Sequence, residues 1–174
     1  MDETATNYEE NLFLKADICL NEGRFEEGKE ILEELLSEYP DYGRAHNHLG
    51  WIFSTRYADY KRAAYHYSLA MRFSPGYAPA HVNYAYLLTD TQKYDDAVMH
   101  IKNAFTVDGV NHAILYSELG RIYELKQNFL KAYKNYKMAV NKAFDARFID
   151  EMKSNLERVK NKMSFMQKVK LIFA

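Results

Sequence analysis

The stretch HNHLGWIFSTRYADYKRAAYHYSLAMRFSP, residues 46 to 75, holds three histidines, the one tryptophan of the chain and a run of aromatics. Imidazoles bind zinc and move protons near neutral pH, so the histidines come first. A metal needs several ligands converging on one point. His46 and His48 lie two apart, which on a helix sends them in different directions, and His66, His81, His100 and His112 show no ligand spacing. Cys19 is the only cysteine, so there is no intramolecular disulfide and no cysteine-based zinc site, which fits a reducing compartment. The chain has no glycine-rich phosphate loop, no HExxH and no GxSxG. These residues predict no catalytic site, no metal site and no cofactor.

The elements that carry these residues follow from the rest of the chain. Its 174 residues are 48% apolar, enough for a core and against disorder. The net charge of −1 gives no overall attraction to nucleic acid. The distribution is uneven: residues 1–40 carry twelve acids and three bases, a net of −9, and residues 41–174 carry twenty bases and twelve acids, a net of +8. The opening MDETATNYEENLF lacks the basic and apolar regions of a signal peptide, and no apolar run reaches the roughly 18 to 20 residues that cross a bilayer. The expectation is a soluble, cytoplasmic chain.

Apolar residues recur at steps of three and four, with only three prolines and seven glycines, so the chain reads as all helix. The punctuation is periodic. Ala16, Gly50, Ala85 and Gly120 lie 34, 35 and 35 residues apart; Gly28, Ala63, Ala97 and Ala132 step by 35, 34 and 35, as do Leu35, Ala70, Ala104 and Ala139. The aromatics Phe25, Tyr60, Tyr94 and Phe129 keep the same step. Series locked to one period mean four copies of a helix–turn–helix unit. Small residues let two helices approach closely, and an aromatic opposite fills the groove.

On these residues the chain resembles the tetratricopeptide repeat family. The fourth copy matches best, with Tyr116, Leu119, Gly120, Tyr123, Phe129, Ala132, Tyr136 and Ala139; the second supplies Leu49, Gly50, Phe53, Tyr60, Ala63, Tyr67, Ala70 and Pro75. The resemblance implies an all-α fold, a right-handed superhelical solenoid of four helix–turn–helix repeats with a C-terminal capping helix. Its expected parts are an acidic segment (1–8), repeats at 9–42, 43–77, 78–112 and 113–146, and a basic amphipathic capping helix at 147–174. One extra residue is expected in the turn around STRYAD and another in DGVNH. The stripe Ile149, Met152, Leu156, Val159, Met163 and Met166 reads as one face of a single long helix.

The resemblance also implies a protein-binding scaffold or adaptor, with the first helix of each copy lining a concave groove. The residues it places there include Asn47, His48, Trp51, Asn83, Tyr86 and Arg121, with Arg44 a turn earlier. Asn47 and Asn83 suit a ligand backbone, Trp51 and Tyr86 offer rigid apolar contact, and Arg44 and Arg121 suit a carboxylate. The lysine, asparagine and arginine clamp of the chaperone-docking subclass is absent, because Phe13 and Asp17 stand at its places in copy one. The expected partner is a protein or peptide, not nucleic acid. The alternative is a self-assembling or membrane-associated scaffold: residues 147–174 hold seven bases and three acids, and the acidic first copy is complementary to that tail. Peripheral membrane contact is the less favoured of the two expectations.

Overall fold

The structure, a computed structural model, describes residues 3–172. Residues 1 and 2 of the acidic segment, and Phe173 and Ala174 of the apolar LIFA ending, lie outside the described residues. Among those described there are ten helices and no strand: α1 (Glu3–Asn21), α2 (Phe25–Glu38), α3 (Gly43–Thr55), α4 (Tyr60–Phe73), α5 (Ala78–Asp90), α6 (Tyr94–Ala104), α7 (His112–Leu125), α8 (Phe129–Lys142), α9 (Ala146–Lys162) and α10 (Phe165–Ile172). They fall into two compact units, Met1–Leu87 and Leu88–Ala174.

Turn chemistry sets the helix boundaries. Asp59, Asn111, Asn128 and Asp145 each accept a backbone N–H at the start of the following helix, which satisfies donors that the helix itself leaves unpaired. Gly23, Ala58, Gln92 and Gln127, one per copy, take positive φ of 81°, 51°, 60° and 56°. In each of these turns a backbone N–H returns to the preceding helix: Arg24 to Cys19, Asp59 to Phe53, Lys93 to Leu88 and Asn128 to Tyr123. The second of these spans one residue more than the others, so the STRYAD insertion is taken up in the turn. The DGVNH segment lies in a longer connection, with Gly109 at φ 75°, after the eleven-residue α6.

In the first unit α1 packs on α2, α2 on α3 and α3 on α4 around Ala16, Leu32, Leu35, Leu49, Ile52 and Tyr67. Gly50 lies against the Tyr67 ring, where an added Cβ would sit 2.7 Å from ring carbons. In the second unit α7 packs on α8 and α8 on α9, burying Ala132, Tyr136, Ala139, Met152, Val159 and Met163. Gly120 repeats the contact of Gly50, with an added Cβ 2.6 Å from the Tyr136 ring. Cys19 is buried among the core residues of the first unit.

The tail corrects the expectation of one long helix. The stripe from Met152 to Met163 is buried or half-buried, but α9 ends at Lys162 and Met166 is 65% exposed. Ser164 and Gln167 form a reciprocal cap: the Gln167 N–H donates to Ser164 Oγ at 3.3 Å and the Ser164 N–H donates to Gln167 Oε1 at 3.0 Å. Such a capping box starts a new helix, α10, and Ser-x-x-Gln is its sequence signature.

Candidate functional site

The first unit contains an open cleft of about 280 Å³ lined by Asp17, Leu20, Asn21, Asn47, His48, Trp51 and Asn83. The lining side chains come from α1 (Asp17, Leu20, Asn21), α3 (Asn47, His48, Trp51) and α5 (Asn83), with α2 packed on both α1 and α3. Four of the residues expected at a groove, Asn47, His48, Trp51 and Asn83, are brought together here.

Each has a partner within the chain. The Asn83 side-chain amide donates to Asn47 Oδ1 at 3.0 Å, and Asn47 itself is only 3% exposed. His48 Nδ1 lies 3.0 Å from the Arg44 carbonyl and its Nε2 lies 3.1 Å from Asp17 Oδ1. Asn21 donates to the other oxygen of Asp17 at 3.2 Å. Trp51 is half-buried, packs against the core and tilts against Phe25. Tyr86 is half-buried on α5 and does not line the cleft.

The two arginines are already held. Arg44 Nη1 donates to both oxygens of Glu10 at 3.0 and 2.9 Å, and its guanidinium stacks over Phe13 at 4.1 Å. Tyr42 donates to the same carboxylate at 2.6 Å, and that bond, followed by Arg44, holds Glu10 below the usual carboxylate range against the opposing effect of burial. A ligand carboxylate at Arg44 would share the guanidinium with Glu10. In the second unit Arg121 donates through Nε and Nη2 to Glu118, at 2.9 to 3.2 Å, and through Nη2 to Asp90 at 2.8 Å. Glu118 is 3% exposed. Although burial opposes it, hydrogen bonding to Glu118 raises the guanidinium above its ordinary value.

Leu20 and Asn21 complete the cleft together with Asp17. Asp17 was legible, since it follows Ala16 as Trp51 follows Gly50. Asn21 is one turn further along the same face of α1, and an exposed asparagine near a helix end carries no distinct signal.

The histidines are structural partners. His46 Nε2 lies 3.0 Å from the Pro40 carbonyl, and His81 Nε2 lies 2.8 Å from the Pro75 carbonyl, one copy later. A carbonyl only accepts, so Nε2 of His46 carries the proton and its Nδ1 is left to accept from His66 Nδ1–H across 3.0 Å. Phe73 stacks on His46 and Phe53 on His66. Burial lowers the pKa of His46, and burial, then His46 and Arg62, push His66 down to about 4. Among the described residues no group of three or more His, Cys, Asp or Glu is placed to hold a metal ion.

The histidine pair predicts acid sensitivity. Both folded values lie below an unfolded value near 6.5, so the stability they confer is complete above about pH 6.5 and is lost as pH falls toward 4. Between pH 7 and pH 5 the first unit is expected to lose about 2 kcal/mol. Trp51, the single tryptophan, reports on this unit in urea titrations of the whole chain. The His46→Gln/His66→Gln double variant is expected to show little of that loss; an equal loss in the variant would refute the assignment.

Residues 9–42 match the tetratricopeptide repeat family. No curated protein matches the sequence. Among solved structures the fold is similar to a thermophilic tetratricopeptide repeat protein of Thermus thermophilus, with 21% identity, a TM-score of 0.67, and 85% of this chain and 81% of that one covered. It is also similar to PilF of Pseudomonas aeruginosa, with 17% identity, a TM-score of 0.81, and 92% and 71% covered. A third similar structure is YrrB, described as a tetratricopeptide repeat protein with an unusual peptide-binding site, with 19% identity, a TM-score of 0.66, and 80% and 71% covered. At these identities the likeness is one of fold.

Proposed function

We propose, for a chain that carries a tetratricopeptide repeat at residues 9–42 and has the fold of that family, that it is a non-catalytic interaction module. Its cleft on the first unit receives an extended peptide of a partner protein. The observation that carries this reading is the Asn47–Asn83 amide pair beside the half-buried Trp51 in an open cleft. An amide paired with another amide keeps a free donor and acceptor capacity, which matches the alternating N–H and C=O groups of a peptide backbone. Trp51 adds a rigid apolar wall. That YrrB is described as having a peptide-binding site supports the reading by analogy of fold.

The lining also narrows the ligand. It contains no lysine or arginine, and it includes Asp17. A neutral or basic peptide fits it better than one that ends in a carboxylate. In this reading Arg44 contributes indirectly, by fixing α3 against Glu10 on α1, and Tyr86 and Arg121 have no part in the cleft.

Random-peptide display panned on the intact chain tests this. The selected peptides are expected to lose about tenfold in affinity for Asn83→Ala, about one hydrogen bond to a neutral group. Peptides that bind Asn83→Ala and Asn47→Ala as well as the parent chain would place the ligand elsewhere.

A further inference from the structure

We propose that α10 is an interfacial anchor that seats the chain on a membrane surface containing anionic lipid. The inference is independent of the peptide cleft and rests on how α10 divides its side chains. Leu171 packs against the core of the second unit, whereas Phe165 is 79% and Met166 65% exposed. At 3.6 residues per turn, Phe165 and Val169 lie one above the other with Met166 beside them. The same geometry puts Lys168 on one flank of that face and Lys170 on the other, and both are exposed. Phe165 and Met166, with the half-buried Val169, make the outward side of α10 apolar, with a cation along each edge.

The chain leading into and through α10 is rich in cations. From residue 158 to residue 170 there are five bases, Arg158, Lys160, Lys162, Lys168 and Lys170, and no acid. Arg158 and Lys162 are bound to Glu124, at 2.8 and 2.9 Å, so they hold α9 in place, and Lys160 lies 3.7 Å from Glu157. Lys168 and Lys170 flank the apolar face instead. An apolar strip with lysines at its margins suits the boundary between headgroups and acyl chains, where the ring and thioether enter and the ammonium groups reach anionic phosphates. A folded protein partner fits less well, because an eight-residue helix face offers far less than the roughly 800 Å² per partner of a stable interface. A bilayer imposes no such threshold and no shape match. Among the described residues no helix is long and apolar enough to cross a membrane, so the contact is peripheral.

The test is flotation of the full chain with vesicles of phosphatidylcholine alone and with about one third phosphatidylserine, at low and physiological salt. The expected result is flotation with the anionic vesicles only, weakened by salt. Lys168→Gln/Lys170→Gln is expected to weaken binding about 30-fold, the effect of two lysines near an anionic surface. Phe165→Ser/Met166→Ser is expected to weaken it at least about tenfold. Both pairs are exposed, so thermal melting should not move; if the apolar variant melts early, the lysine variant carries the test. Absence of flotation with anionic vesicles overturns the proposal, as does flotation that neither variant changes. A dimer at low salt that these substitutions abolish, without lipid binding, would assign α10 instead to a second copy and its acidic α2.

Discussion

Replacing Gly50 with leucine is expected to cost about 3 kcal/mol of the stability of the first unit. Even a single Cβ at Gly50 would stand 2.7 Å from two carbons of the Tyr67 ring, and that ring is 2% exposed with no room to withdraw. The clash is with a packed ring rather than with the far end of a flexible side chain, so the backbones of α3 and α4 must part. Tyr67→Ala, which opens the cavity instead, is expected to cost about 3 to 5 kcal/mol. The two positions must also be coupled. Gly50→Ala alone gains up to about 1 kcal/mol of helix propensity and loses more to the clash, so it destabilises. In a Tyr67→Leu background the clash is relieved and the same substitution should become neutral or stabilising. Urea unfolding followed by Trp51 fluorescence measures all four corners of that cycle; additive effects would mean that Gly50 is not there to admit the ring. Gly120 and Tyr136 offer the same test in the second unit.

The second large effect concerns Arg121. Arg121→Ala is expected to destabilise the second unit by about 3 kcal/mol, the lower part of the range for breaking a buried ion pair, because Arg121 itself remains 41% exposed. The cost arises at Glu118. Its side chain is 4% exposed, and each of its oxygens accepts from Arg121, so the substitution leaves a buried carboxylate without its cation. Glu118→Gln/Arg121→Met removes both charges and should recover much of the loss. Circular dichroism through urea titration, with exchange protection in α7, distinguishes the variants. If Arg121→Ala instead left stability unchanged, the arginine would be available for a ligand, as its groove position had suggested. Any loss of binding in Arg121→Ala therefore needs a stability measurement beside it.

The sequence by itself determined the helical class, the repeat and its period. Those follow from spacing alone: a small residue every 34 or 35 positions and an aromatic nine or ten residues after it mark one kind of helix pair, and in two copies a tyrosine further along the second helix meets the glycine, Tyr67 against Gly50 and Tyr136 against Gly120. It also placed one insertion, since a residue added between Gly50 and Tyr60 has to be absorbed where the backbone turns. The new helix at Ser164 was also written in the chain, as Ser-x-x-Gln, but an apolar stripe running through to Met166 masked it. Only the tertiary structure decided which polar side chains on the first helices are left for a partner. Register predicts the face a residue takes but not what stands opposite it, and the opposing groups come from about 30 residues away: Glu10 against Arg44, Asp17 against His48, Asp90 against Arg121. The His46–His66 bond was hidden for the same reason, because twenty residues and a turn separate two rings that packing brings within 3.0 Å. Local periodicity fixes the elements, whereas charge pairing and burial depend on distances that exist only after those elements have packed.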